Sequence, residues 1–284
     1  MEYPKITIIT PVYNQVEFIE RTIRSVLEQN YPNLEYIIVD GGSTDGTKAI
    51  IEKYRTQINM IISEKDDGMY HALDKGFRNS TGELMAWINA DDRYHYNSFF
   101  IVAEIFSKYK NVEFLMGQPS TFDEQDRCVM IGELRQWSKY DFFISGTNWG
   151  IQQESTFWRR SLWERSGSYI STDYKLAGDC ELWTRFLVGS NAKLHMTTAL
   201  IGGFRTRANQ LSSNRSAYAN EVKRIVEVTE KSTAEIATLK KIDLYKKYLS
   251  KFPVLRVLLN WNQNYRDHFD YPPVIRYDLK KRGF

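Results

Sequence analysis

Over the first hundred residues, short runs rich in β-branched side chains alternate with segments whose apolar residues recur at helical spacing. That alternation restricts the fold more than any other feature of the chain. KITIIT (5–10) stops at Pro11. NQVEFIERTIRSVLEQN (14–30) follows, with Val16, Ile19, Ile23, Val26 and Leu27 on one helical face and Asn14 three residues before Glu17, a capping-box arrangement. LEYIIVD (34–40) reads as the next strand, TKAIIEKYR (47–55) as a helix and INMIIS (58–63) as a third strand. MYHALDKGFRN (69–79) reads as a helix and ELMAWIN (83–89) as a fourth strand. Strands that alternate with helices pair in parallel through right-handed crossovers, so an open, mostly parallel α/β sheet flanked by helices is expected.

Ligands bind such sheets outside the carboxyl ends of the strands. Four polar clusters fall there: residues 11–14, 40–47, 66–68 and 89–92. Each also has a plain structural reading. Asp91 and Asp92, two adjacent acids at the end of an apolar strand, would suit the start of a helix over DDRYHYNSFF. VDGGSTDGT (39–47) would suit a tight turn and a helix cap. As a binding loop, it would let Asp40 accept hydrogen bonds from a nucleobase edge or ribose while the glycines admit the ligand to the backbone. It is neither GxGxxG nor a P-loop, which argues against a dinucleotide oxidoreductase or an ATPase. DDGMYHALDKG (66–76) would serve as a turn and a helix with Gly76 beyond its end, yet Asp67, Tyr70 and Lys75 are unneeded in a plain connection. Pro11, Tyr13, Asn14 and Ser43 complete the candidate ligand-binding set at this edge.

Cysteine and charge usage narrow the class further. Cys128 and Cys180 are the only cysteines, with no CxxC and no apolar leader after Met1, which suits a reducing cytoplasm and gives no cysteine-based zinc site. No apolar stretch approaches the roughly 18 residues of a membrane span. From Lys231 to Phe284, twelve Lys/Arg face five Asp/Glu, a net of +7, so residues 1–230 carry −4. The tail is a separate electrostatic object.

TPVYN (10–14), IIVDGGSTDGT (37–47), DDGMYHALDKG and NADD (89–92), in this order and spacing, resemble the family 2 glycosyltransferases. These are inverting enzymes of the GT-A fold that use nucleotide-diphosphate sugars. The resemblance covers residues 4 to about 100, continues more weakly to about 212, and does not extend to the tail. It implies a glycosyltransferase domain over 1–212, with a nucleotide-sugar half (1–100) and an acceptor half (101–212), followed by a helical extension over 213–284. It further implies that Asp40 holds the base, with a leaning to uridine, and that Asp67 helps bind the nucleotide. Asn89-Ala90-Asp91 takes the family's DxD position. A divalent cation, Mn²⁺ or Mg²⁺, carried on the diphosphate would then explain the acid pair. Asn89 replaces the first acid, so Asp91 would carry the metal, with Asp92 as its support or as a helix cap.

The middle of the chain would supply the acceptor side. GDCELWTRF (178–186) resembles the family's base-bearing segment, with Asp179 at the base and Glu181 beside it; both also read as charges opening a helix. Gln153 and Glu154 of QESTFWRR (153–160) are candidate contacts. Trp158, Trp163 and Trp183 read as core. IGGFRTRANQLS (201–212) resembles the family's closing segment, with Arg205, Arg207 and Ser212; Arg207 stands where His is usual, which favours a contact to phosphate.

Residues 216–252 read as helical, with Pro253 splitting the tail. Leu244, Tyr245, Tyr248, Leu249, Phe252, Leu255, Leu258, Leu259 and Trp261 interleave there with Lys246, Lys247, Lys251 and Arg256. Such a basic amphipathic segment suits an anionic membrane face, or packing on the domain or on another subunit of a homo-oligomer. The expected partners are a nucleotide-sugar donor and a saccharide or lipid-linked acceptor, with no nucleic acid. A nucleotidyltransferase, which usually opens with a Gly-rich basic loop absent from TPVYNQ, and a non-catalytic sugar-nucleotide module, which would need no Asp179, are the alternatives.

Overall fold

The computed structural model describes residues 3–145, 150–207, 210, 214–249, 269 and 271–284. Strands β1 (Ile6–Val12), β2 (Leu34–Asp40), β3 (Met60–Ser63) and β4 (Leu84–Trp87) alternate with helices α1 (Ile19–Leu27), α2 (Thr47–Lys53) and α3 (Met69–Arg78). β1 pairs in parallel with β2 from Ile6↔Leu34 to Val12↔Asp40, and with β4 from Ile6↔Leu84 to Ile9↔Trp87. All carboxyl ends therefore open on one edge. The side chains of Ile8, Ile9, Ile37, Ile38, Met85 and Trp87 are buried, as near-continuous apolar strands covered on both faces require.

The second half adds β5 (Arg93–Tyr94), α4 (Ser98–Lys108), β6 (Phe114–Met116), β7 (Ser120–Phe122), β8 (Cys128–Ile131), α5 (Lys139–Ser145), β9 (Thr156–Arg159), α6 (Arg160–Arg165), α7 (Gly178–Thr184), β10 (Leu194–Met196) and β11 (Gly202–Arg205). The main sheet runs β10-β6-β9-β4-β1-β2-β3, and only β9 opposes its neighbours. The mostly parallel expectation therefore holds, with one reversed strand. A smaller sheet, β5-β11-β7-β8, stands beside it. Trp158, Trp163 and Trp183 are core residues; Trp183 stacks on Trp87 with ring centroids 5.4 Å apart.

Three local expectations are corrected. Asn14 and Glu17 do not form a capping box. α1 starts at Ile19, and Asn14, at φ 50°, turns its amide to the loop after β2 instead. Asp91 and Asp92 do not start a helix, because β5 intervenes and α4 begins only at Ser98. The tail read as helical over 216–252 is broken between Val228 and Thr233, into α8 (Arg215–Val228) and α9 (Thr233–Leu249), while the split expected at Pro253 lies outside the described residues. Ser232 and Glu235 form the capping box at that break, with the Glu235 carboxylate accepting from Ser232 N at 2.9 Å and Ser232 Oγ accepting from Glu235 N at 3.2 Å.

The C-terminal residues fold back. Ile242 and Phe269 bury against Tyr140, Tyr271 donates to Asp141 Oδ1 at 2.9 Å, and Ile275 bridges Thr197 beyond β10. Ser212, Lys251, Phe252, Pro253, Leu255, Arg256, Leu258, Leu259 and Trp261, and the side chains of Tyr245, Lys246, Tyr248 and Leu249, lie outside the described residues. Among the described residues no helix is long and apolar enough to cross a membrane.

Candidate active site

At the ends of β1 and β2, polar side chains tie the backbone into a binding edge. Asn14 N donates to Ser43 Oγ at 2.9 Å, and Asn14 Oδ1 accepts from Thr44 N at 2.8 Å. Ser43 N donates to Asp40 Oδ1 at 3.1 Å, and Ser63 Oγ donates to Asp40 Oδ2 at 2.7 Å. Asp40 is fully buried, with Lys48 Nζ 3.7 Å from it. Pro11 lies within the buried part of β1, whereas Tyr13 beside it is 59% exposed and presents a free ring at the edge.

After β3 the two adjacent acids separate. Asp66 turns in towards Gly41, where a Cβ would meet its carboxylate at 2.7 Å, and accepts from Gly68 N at 3.0 Å. The Asp67 side chain is 93% exposed. Lys75 pairs with Glu64 at 2.7 Å on the flank of the site. Of the two acids, Asp66 packs inward against Gly41, while Asp67, the one the resemblance assigns to the nucleotide, faces solvent.

The strand-end acids after β4 sit in a basic and amide setting. Asp91 Oδ2 accepts from Arg207 Nε at 2.8 Å, and Arg207 Nη2 reaches Gln15 Oε1 at 3.3 Å. Asp92 is buried, accepting from Arg205 N at 2.7 Å and from Asn89 Nδ2 at 3.1 Å; burial, with Glu154 and Asp91 adding to it, pushes its carboxyl well up. Asp92 is thus a support of the 89–92 turn, not a cap. Ala90 is buried, with its carbonyl accepting from Thr22 Oγ1 at 2.9 Å. Gln153 donates to Trp87 O at 2.7 Å and accepts from Asn89 at 3.3 Å, fixing the turn from below. Arg205 is also fully buried: its Nε donates to Asp91 O at 2.6 Å and its Nη1 to Asp123 O at 2.7 Å, and its Nη2 pairs with Asp126. It braces the acids from behind, and Arg207 is the arginine at the partly open face.

Glu154 and Asp179 bring the second half to the same place. Glu154 lies in a single 3₁₀ turn (Gln153–Ser155) before β9. Burial pushes its carboxyl up to about 7, with the charges of Asp179 and Asp91 acting in the same direction. Asp179, in the first turn of α7, is pushed up to about 6 by burial, against the hydrogen bonds from Cys180 N at 2.8 Å and Tyr70 Oη at 3.5 Å. Among the described residues both hydrogen bonds go to Oδ1, so Oδ2 is left to accept a proton. The expected stabilisation of the carboxylate by the helix start is outweighed by desolvation. Tyr70, from α3, also donates to Leu176 O at 2.8 Å, and Gly178 lets its ring lie flat on α7, since a Cβ there would meet the ring at 2.7 Å. Glu181 is locked into a bidentate pair with Arg185, at 2.7 and 2.9 Å, and so faces a structural partner.

A divalent cation fits this edge in one mode only. Among the described residues no group of three His, Cys, Asp or Glu gathers to hold one. Asp91 offers one carboxylate, and Asn89 Oδ1 is buried without a hydrogen-bond partner. That donor set matches a cation held by one carboxylate and by phosphate oxygens of a ligand, rather than by an all-protein cage.

Comparison with known proteins agrees with this architecture. Residues 7–166 match the sequence profile described as Glycosyl transferase family 2. The chain is 33% identical over 122 residues to a Bacillus subtilis protein provisionally named a teichuronic acid biosynthesis glycosyltransferase, covering 42% of this chain and 45% of that one. It is 27% identical over 189 residues to an uncharacterized glycosyltransferase of Mycobacterium tuberculosis, covering 64% and 68%. The chain thus spans less than half the length of the Bacillus relative. Staphylococcus aureus TarS 1–349 in complex with UDP-GlcNAc superposes with a TM-score of 0.66 at 18% identity, covering 93% of this chain and 80% of that one. The mannosyltransferase PcManGT of Pyrobaculum calidifontis, with GDP-Man and Mn²⁺, gives 0.63 at 19%, covering 86% and 70%. These two share the GT-A fold. With more than half of its length matched by the profile, the chain belongs to glycosyl transferase family 2.

Proposed function

We propose that this protein is an inverting glycosyltransferase. It moves a sugar from a nucleotide-diphosphate sugar, UDP-linked, to a hydroxyl of a saccharide or lipid-linked saccharide in surface polysaccharide biosynthesis. The observation that carries the reading is the 3₁₀ turn of Gln153 and Glu154, where Gln153 bonds Asn89 at 3.3 Å and Trp87 O at 2.7 Å at the donor edge, and the neighbouring Glu154 feels the charges of Asp91 and Asp179. The ligands bound by TarS and PcManGT, and the name of the Bacillus relative, support the donor class and the biological setting.

Asp179 acts as general base. Its Oδ2 takes the proton of the acceptor hydroxyl as that oxygen attacks the anomeric carbon, and the diphosphate leaves from the opposite face. A carboxyl at about 6 is mostly ionised at neutral pH yet more basic than an exposed one, which suits proton abstraction. Arg207 exchanges its contact with Asp91 for one with the diphosphate, and Asp40 and Tyr13 hold the nucleoside. A Mn²⁺ or Mg²⁺ ion at Asp91, when bound, neutralises charge on the leaving diphosphate. The work is done at the cytoplasmic face of the membrane, with the basic tail against anionic lipid.

Asp179→Asn tests the reading. It keeps size and hydrogen-bonding ability but cannot take the proton, so transfer should fall by roughly 10²–10⁴-fold with donor binding little changed. NMR of the product from an α-linked donor should show a β linkage. Near-normal turnover of the variant, or a retained anomeric configuration, would refute the mechanism.

A further inference from the structure

The base segment is held from a helix that no motif marks. α8 packs on α7 through Val222 and Ile225, which bury against Ala177 and Cys180. Immediately before Val222 on α8, Glu221 reaches the stretch that leads into α7. Its Oε1 accepts from Lys175 N at 3.1 Å, and its Oε2 accepts from Leu176 N at 2.9 Å and Ala177 N at 2.8 Å. Ala177, at the cap position of α7, has no side-chain acceptor to offer, so a carboxylate from another helix takes these donors. Leu176 is thereby fixed at both polar groups, its N–H by Glu221 and its C=O by Tyr70 of α3. Asp179 follows three residues later.

We propose that Glu221 is a positioning residue for the base, clamping residues 175–177 against α8 so that Asp179 is held where the donor edge meets the acceptor. This inference rests on Asp179 being the base. Three converging N–H donors explain why a carboxylate sits here, and among the described residues no ion pair neutralises it. Its charge acts on Asp179 in the same direction as burial. The other titratable groups facing Asp179 are Tyr70 from α3, Glu154 from the 3₁₀ turn, Tyr218 from α8, and Cys180 on its own helix. The two phenols and the thiol are pushed upward by burial and stay neutral, and Glu154, pushed up to about 7, is mostly protonated where Asp179 titrates, so Glu221 is the charge that acts on the base.

Two variants separate the clamp from the charge. Glu221→Gln keeps an oxygen that accepts two bonds but loses the charge; Glu221→Ala loses both. The readouts are UDP release from the UDP-sugar most readily turned over in a panel of UDP-GlcNAc, UDP-Glc and UDP-Gal, its pH profile, and UDP binding by calorimetry. Glu221→Gln should move the acid limb of the profile to lower pH, because Asp179 loses a neighbour that favours its protonated form. Glu221→Ala should lower kcat by roughly 10–10²-fold through misplacement of the base, with UDP affinity unchanged in both variants. If Asp179→Asn is inactive while the Glu221→Gln limb stays at the wild-type pH and Glu221→Ala keeps its kcat, the clamp is wrong and the base stands. If Asp179→Asn turns over normally, the base assignment fails and takes the clamp with it. Should Glu221→Ala not fold, the pH limb of Glu221→Gln decides alone.

Discussion

Arg207 lies against Asp91, Nε to Oδ2 at 2.8 Å, so the acid marked by the sequence as the cation ligand already has a positive partner. A cation entering alone must displace that guanidinium, whereas one arriving with a diphosphate offers the guanidinium a new anion. Donor binding with Mn²⁺, followed by calorimetry with and without EDTA, should therefore show a cation-dependent component that Asp91→Ala abolishes. Asp40→Ala should weaken binding in both conditions. Donor affinity that is unchanged in Asp91→Ala, with and without EDTA, would sink the assignment of Asp91.

Much of this site was legible, and for identifiable reasons. The strand and helix periods of residues 5–89 follow from burial on both faces of a parallel sheet, so the ends of β2 at Asp40 and β3 at Ser63 fall where they were read, whereas β1 runs on through Pro11 to Val12 and β4 stops at Trp87, two residues short of Asn89. Asp40 ends β2, Asp91 follows β4, and Glu154 feels the charges of Asp91 and Asp179. Glu221 was invisible because its carboxylate bonds backbone N–H groups 44 to 46 residues away, and no local pattern encodes a cross-helix contact. The inward turn of Asp66 and the burial of Arg205 were not visible in the sequence for a related reason. Which of two neighbouring charges turns inward depends on packing, at Gly41 for Asp66 and at the Asp123–Asp126 turn for Arg205.

The 3₁₀ turn that carries Glu154 leans on a glycine. A Cβ at Gly202 would overlap the Glu154 carbonyl oxygen and come within 2.6 Å of its carbonyl carbon. Both are backbone atoms and cannot swing aside. Gly202→Ala should therefore destabilise the fold by about 2–4 kcal/mol and displace Glu154. Gly189→Ala, with nothing within 4 Å of the new methyl, should be close to neutral. Equal melting temperatures for the two variants would contradict the packing account.

The basic tail supports a membrane prediction. Part of α9 packs inward through Ile242, with Lys139 and Glu235 paired at 2.7 Å, while Leu244 and Lys247 stay exposed. Full-length protein should float with liposomes rich in anionic lipid, and flotation should weaken as salt rises. Replacing Lys246, Lys247, Lys251 and Arg256 together with Glu should abolish flotation and leave donor binding intact. Undiminished flotation of that variant would remove the tail from membrane binding.

The carboxylate cluster should make the free protein less stable as pH rises. Glu154 ordinarily ionises near 4.5, but in the fold its carboxyl is pushed up to about 7 by burial and by its acidic neighbours. Between those values the native state holds a proton that the unfolded chain has released, so stability falls as pH climbs from about 4.5 to about 7 and stays lowered above it. Asp179, pushed up to about 6, acts in the same direction over a window beginning near 3.8. Glu154→Gln removes the first contribution while keeping an oxygen for the bond from Gln152, which is 3.3 Å long in the native protein. Urea unfolding at pH 8, without donor or divalent cation, should show the variant more stable than wild type by about 1 kcal/mol or more. At pH 4.5 the two should nearly coincide. A wild-type protein at least as stable as the variant at pH 8 would show that Glu154 is not held in its protonated form by the fold.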